Sequence, residues 1–290
     1  MKRSIIIAVL LAALALMLAA CSYNNFPVNL NTQTIHGSGT VTSEVRSVSG
    51  ISKVELMGIG NLTIQQGNTE SLTIQADENL LPYITTEVIA GTLKIGIKPN
   101  INFDPTQTIE YRLTVKSISG VALSGFGNIQ VDQLDGPDIE VRIAGSGDIL
   151  VDAITADNVD MHLTGFGNIT ANSVKAANSV LNLTGSGDLK INSLEASTLN
   201  LNIGGFGTAT VSGSCTDQVV NLTGSGKYQG GDLQTSTATV KISGLGNATL
   251  WATDSLDLAI TGSGNVNYYD VPRLTQTLTG LGSVKSLGSH

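Results

Sequence analysis

The chain has 290 residues, of which 13% are charged and 4% aromatic, and carries a net charge of −8. With 15 Lys+Arg against 23 Asp+Glu and no basic cluster, it lacks the electrostatic footprint of a nucleic-acid-binding protein, and attraction to anionic lipid headgroups is equally disfavoured. So few aromatic residues are also a poor stock from which to line a shaped enzyme pocket.

Residues 1–20 read as a targeting segment. Lys2 and Arg3 are followed by an apolar run from Ile5 to Ala20 that ends in small residues, the pattern of a secretory signal peptide. The run is shorter than the about 20 residues a membrane span needs. Leu18-Ala19-Ala20-Cys21 resembles the lipobox of bacterial lipoproteins. That resemblance implies cleavage before Cys21, lipid on its sulfur and acylation of the new amino group. Each buried methylene would contribute about 0.8 kcal/mol to anchoring. Cleavage removes Lys2 and Arg3 and moves the charge from −8 to −10. Lipidated Cys21 would then be the membrane attachment, placing the protein outside the cytoplasmic membrane. By the enterobacterial lipoprotein rule, Ser22 in place of Asp directs it to the outer membrane if the cell has two. Cys215, in Gly213-Ser214-Cys215, is left without a disulfide partner and reads as a small buried residue near a turn.

Residues 21–36 are dominated by Asn, Thr, Gln and Pro and read as a flexible tether beginning at the lipidated Cys. Residues 37–118 alternate less regularly, with strand patterns at Leu62-Thr63-Ile64, Leu72-Thr73-Ile74, Leu93–Ile97 and Tyr111–Val115. The stretch from Ile101 to Pro105 reads as a loop.

Residues 119–290 form a regular array. Gly-x-Gly units recur at Gly125, Gly145, Gly165, Gly185, Gly205, Gly224, Gly244, Gly262 and Gly280, with an earlier one at Gly58 and a candidate at Gly37. A period near twenty marks a repeat architecture. Apolar residues stand four and two positions before each first glycine (Val141/Ile143, Leu181/Leu183) and four and six after it (Ile149/Val151, Leu189/Ile191). Period two on both sides gives two short strands per repeat, each with one buried face. Either one coil of a parallel β-helix or a hairpin of an antiparallel meander could hold such a pair. The middle residue of the glycine unit alternates large and small: Phe126, Ser146, Phe166, Ser186, Phe206, Ser225, Leu245, Ser263, Leu281. Bulky side chains stacked on every coil would crowd at about 4.8 Å, whereas every second coil leaves about 9.6 Å. The alternation therefore favours an all-β, parallel β-helix-like solenoid of ~20-residue coils, about 11–13 of them, capped at its N-terminal end by the irregular region around Asn79–Tyr83. Phe126, Phe166, Phe206, Leu245 and Leu281 should form one row. They are the candidate interaction ladder if that row faces solvent.

Several stretches resemble a known family. Gly58-Ile59-Gly60-Asn61-Leu62-Thr63-Ile64, Ala76-Asp77-Glu78-Asn79-Leu80-Leu81-Pro82-Tyr83-Ile84, Gly91–Ile95 and the Gly-Phe-Gly-Asn/Gly-Ser-Gly-Asp series are similar to the bacterial domain called "putative auto-transporter adhesin, head GIN domain". The resemblance covers about residues 40–285. It implies a right-handed solenoid, export and, often, a lipoprotein anchor.

No motif carries chemistry. His36, His162 and His290 are too far apart in the repeat layout to form a metal or nucleophilic site. Asp148 and Asp188 stand two coils apart, about 9.6 Å, near the about 6.5–9.5 Å separation of inverting glycosidases. Their slot after the second glycine, shared with Asn128, Asn168, Asn247 and Asn265, reads instead as a turn position tolerant of left-handed backbone. The Gly-Ser-Gly-Asp units lack the nine-residue period of calcium β-rolls, and strands rather than helices follow the glycines, which disfavours phosphate loops. The expectation is a non-enzymatic, adhesin-like or interaction scaffold with no cofactor or metal and with a surface glycan or a protein as ligand. The alternatives are a structural envelope protein without a dedicated ligand or a carbohydrate-active β-helix enzyme.

Overall fold

The computed structural model describes residues 32–290. Cys21 and the leader lie outside the described residues. Thr34–His290 form one compact unit, which contains the whole hydrophobic core, from Ile51 to Val266.

The core architecture is a parallel β-solenoid of about eight turns with ~20-residue coils. Register runs from coil to coil: Ile129 pairs with Ile149, Ile149 with Ile169, Ile169 with Leu189 and Leu189 with Ala209. Each coil is one long, bent strand, such as Ile149–Leu163, Ile169–Leu183 or Leu189–Ile203. Glycine-containing corners separate successive strands. The inward residues of the period-two pattern stack into columns, and all of Val141, Met161, Leu181, Leu201, Val220 and Val240 are fully buried. Each such side chain contributes about 1.5–3 kcal/mol by leaving water.

Columns tolerate size changes when neighbours compensate. Tyr228 is buried between Ala209 and Ala248 in its column. Its hydroxyl donates to Gln218 Oε1 (2.9 Å), Gln218 Nε2 donates to Thr235 Oγ1 (2.8 Å), and Thr235 Oγ1 donates to the Trp251 carbonyl (2.8 Å). This buried polar chain is satisfied at each link, as a low-dielectric interior demands. Cys215 is buried and unpaired, and burial, reinforced by the Asp217 charge, pushes its thiol up to about 12.

The region 37–118 departs from simple coiling, which is why the turns are fewer than 11–13. In space the first coil is Thr92–Ile97 with Glu110–Val115. The second is Lys53–Leu56 with Ile59–Gln66, and the third begins at Gly120. The chain thus lays down the second coil, returns beneath it to make the first, and crosses over to start the third. Antiparallel strands close the first coil. Ile84–Ile89 pairs with Thr92–Ile97, Ser71–Asp77 with Glu110–Val115, and Val41–Arg46 with Ser71–Asp77. Gly37/Gly39 makes no coil corner. Gln33–His36 instead forms a two-stranded sheet with Ile101–Asp104, the stretch read as a loop.

Two polar residues fasten this N-terminal cap. Arg46 donates to the carbonyls of Leu81 (2.8 Å) and Ile84 (2.6 Å), gripping the Leu81–Tyr83 turn of the Asn-Leu-Leu-Pro-Tyr block. Asp77 is 1% exposed. It accepts from the Gly39 N–H (2.8 Å), the Thr106 N–H (2.9 Å) and the Thr106 hydroxyl (2.7 Å). Burial alone would raise its pKa, but these hydrogen bonds outweigh it and hold the carboxyl below its usual value.

A folded pKa below the unfolded one gives stability that is present above pH ~4, the unfolded value, and is lost as pH falls through the folded value. Asp77→Asn is therefore expected to cost about 1–3 kcal/mol at pH 7. Its deficit against wild type should shrink as the pH drops below ~4, measured by chemical denaturation at each pH. A deficit independent of pH would contradict the assignment.

Candidate functional site

The Gly-x-Gly corners stack into a ridge along one edge of the solenoid. A Cβ added to Gly145 would fall inside the carbonyl oxygen of Gly125, and one added to Gly147 inside that of Gly127. The same collision recurs at Gly165 and Gly167 against the preceding coil. These glycines are required by close approach of backbone to backbone. The residue between them uses its own backbone for the ladder, with Phe166 N–H donating to Gly145 O (3.0 Å) and Leu281 N–H to Gly262 O (2.9 Å). Its side chain is left to project outward.

The five ladder candidates all do so. Phe126 is 67% exposed, Phe166 72%, Phe206 77%, Leu245 63% and Leu281 91%. Isolated parallel bridges join Phe126 to Ser146 and Ser146 to Phe166, placing the large and small residues in one row. Exposed apolar side chains scattered singly need no explanation, but a regularly spaced row of them does.

A polar row lines the ridge on each side. Before the first glycine stand exposed Ser124, Thr164, Thr184, Thr223 and Thr261, interrupted by Ala144 and Gly204. After the second stands an Asn/Asp ladder. Asn128 Oδ1 accepts from Asp148 N–H (3.1 Å), Asp148 Oδ1 from Asn168 N–H (2.9 Å), Asn168 Oδ1 from Asp188 N–H (3.0 Å), and Asp188 Oδ1 from Thr208 N–H (2.8 Å). The left-handed turn expected at this slot is absent: among the described residues, only Ala90, Asn100 and Asp270 are non-glycine positions with positive φ. The slot selects Asn and Asp because their side chains reach the next coil's backbone donor. Asp148 and Asp188 are thereby engaged along an exposed edge.

The histidines are dispersed. His36 contacts Asp104 (2.8 Å), His162 contacts Asp160 (2.9 Å), and His290 stacks on the Trp251 ring with centroids 4.0 Å apart. Among the described residues no group of three or more His, Cys, Asp or Glu side chains is arranged to hold a metal ion. No helix among them is long and apolar enough to cross a membrane.

One feature was not foreseen from the sequence. Gly120 and Ala122 leave an open depression of about 390 Å³ between Lys53/Glu55 and Glu140/Arg142 on the sheet face. Lys53 bonds Glu140 across it at 2.7 Å and, as the main cause, holds the Glu140 carboxyl below its usual value. The signal was one small residue in each of two otherwise charged columns, Lys53/Gly120/Glu140 and Glu55/Ala122/Arg142, visible only once the columns are aligned across the out-of-order coils.

The profile of the family described as "Putative auto-transporter adhesin, head GIN domain" matches residues 50–173 and again 167–272. The chain belongs to this family. Among solved structures, one from Parabacteroides distasonis ATCC 8503 described as a "Putative lipid binding protein" is 23% identical. Its TM-score is 0.67, over 88% of this chain and all of that one. A "putative adhesin" from the same organism is 22% identical (TM-score 0.66, 88% and 100% covered). Another from Parabacteroides merdae ATCC 43184 is 21% identical (TM-score 0.63, 88% and 99% covered). At these identities the likeness is one of fold. No curated protein matches the chain.

Gly165→Ala is expected to destabilise the protein by roughly 3 kcal/mol, at the top of the overpacking range. The neighbouring ridge substitution Ser186→Ala should stay within about 0.5 kcal/mol of wild type. Denaturant unfolding of both variants checks the pair. Equal stability would remove the close-approach explanation of the glycines.

Proposed function

We propose that this protein is a lipid-anchored, extracytoplasmic scaffold of the cell envelope whose ridge is a docking face for a partner, an adhesin-like role without catalysis. The observation that carries the reading is the row of five apolar side chains, each 63–91% exposed, held at regular spacing on a rigid backbone. Rigid presentation lowers the ordering cost of binding, and aromatic side chains are the anchors that interaction surfaces favour. The adhesin-related family supports a place at the cell surface. The Leu18-Ala19-Ala20-Cys21 motif supports attachment through Cys21.

A glycan and matrix-protein binding array probed with residues 34–290 tests the docking face. Wild type should bind above background, and Phe166→Ser combined with Phe206→Ser should lose the signal with no change in thermal midpoint. Absence of any ridge-dependent partner would favour a structural envelope role. Attachment is tested separately: a palmitate analogue should label the full chain in cells and fail to label Cys21→Ala. Equal labelling of both would refute the anchor.

A further inference from the structure

The docking reading can be taken one step further, because the ridge is shaped to fit a copy of itself. Its bulky residues stand on every second coil, about 9.6 Å apart, with a serine on the coil between. Two such ridges facing each other in opposite directions, offset by one coil, interdigitate. From Phe126 to Leu245 each large side chain enters over a serine, Leu281 meets Ile59 at the end of the ridge, and successive rings alternate about 4.8 Å apart, within the 4.5–7 Å range of favourable aromatic pairs. Parallel ridges related by a two-fold axis would instead meet bulk against bulk at every second coil.

We propose that two copies of this chain pair antiparallel through the ridge, with the two-fold axis between the coils of Ser186 and Phe206. Phe206 of one copy then lies between Phe166 and Phe206 of the second, and Phe126 lies between Leu245 and Leu281 of the second. This pairing rests on the reading of the ridge as a docking face.

Charge and area both fit. The row beside the ridge carries Asp148 and Asp188 in its N-terminal part and Lys227 further on. All three are exposed. The antiparallel register brings Lys227 of each copy opposite the gap between Asp148 and Asp188 of the other. The row on the other flank is uncharged through Thr164, Thr184 and Thr223, so like charges do not face each other there. The five side chains offer roughly 600–700 Å² of apolar surface per copy, near the about 800 Å² per partner of a standard interface, and the flanking rows supply the remainder.

Sedimentation of residues 34–290 at tens of micromolar tests the pairing. Wild type should sediment as a dimer. Phe206→Ser should be monomeric with an unchanged thermal midpoint, and Lys227→Glu should weaken the dimer about tenfold. The register is tested with a short bismaleimide, against which buried Cys215 is a quiet background. Ser186→Cys should cross-link to its mate across the axis. Ser263→Cys should not, because its mate lies seven coils away, about 34 Å. A monomeric wild type, a dimer indifferent to Phe206→Ser, or equal cross-linking at both positions would overturn the pairing. Ridge-dependent binding by a monomeric protein in the array would overturn it too, while leaving the docking face itself standing.

Discussion

Everything in this solenoid depends on how closely one coil can lie upon the next at its glycine corner. The corner carbonyl of each coil occupies the space where a side chain of the following coil would begin. Removing the Cβ at two positions per coil lets the backbone ladder continue around the bend. It also leaves one residue per corner with nowhere to point but outward. The exposed apolar row is thus a by-product of geometry in its position, though not in its chemistry. A serine would satisfy the same backbone at every coil, as Ser146 and Ser186 do at theirs. The choice of phenylalanine or leucine on alternate coils needs a reason outside the fold, and exposed bulk on a surface is the usual mark of contact.

A stack of coils has two open ends, and an unpaired edge invites unwanted strand pairing. At the N-terminal end the protein solves this with antiparallel strands laid against the first coil, locked by Arg46 and Asp77. At the other end the last strands, Arg273–Leu278 and Val284–Ser286, continue the parallel ladder and stay largely exposed. His290 stacks on Trp251 and its backbone N–H reaches Asp270, while Leu287 N–H donates to Tyr268 O. The N-terminal closure uses side chains that the regular coils do without. This accords with the rule that terminal repeats must differ from interior ones.

The array from Gly125 onward was legible because its two signals reinforce each other. Period two fixed the faces of the strands, and the alternation of Phe126, Ser146 and Phe166 fixed their stacking. The row's exposure was not legible, since a phenylalanine between glycines suits a core as well as a surface. What decided it was the backbone approach at Gly145 and Gly147, which periodicity does not encode. The region 37–118 misled for a different reason. Leu62–Ile64 and Tyr111–Val115 each read correctly as strands, but their spatial order is inverted along the chain. Strand patterns carry no information on which neighbour a strand will choose when the connection is long. The Asn128 and Asp148 slot was read for its backbone tolerance, whereas its side chains are selected for reach.

The alternation along the ridge also says something about how such a molecule can grow. Structurally, one coil of about twenty residues is a complete module, since each coil touches only its neighbours. Chemically, from Phe126 onward, the module is two coils, one bulky and one small; Ile59, on the coil before Phe126, lies outside that alternation. Duplicating or deleting a single coil would leave the core intact while inverting the phase of every corner beyond the break, so that two large or two small residues would fall side by side. Gene-level expansion that preserves the ridge must therefore proceed in steps of about forty residues. The length of the solenoid is thereby tied to its surface chemistry, even though its interior would accept any number of turns.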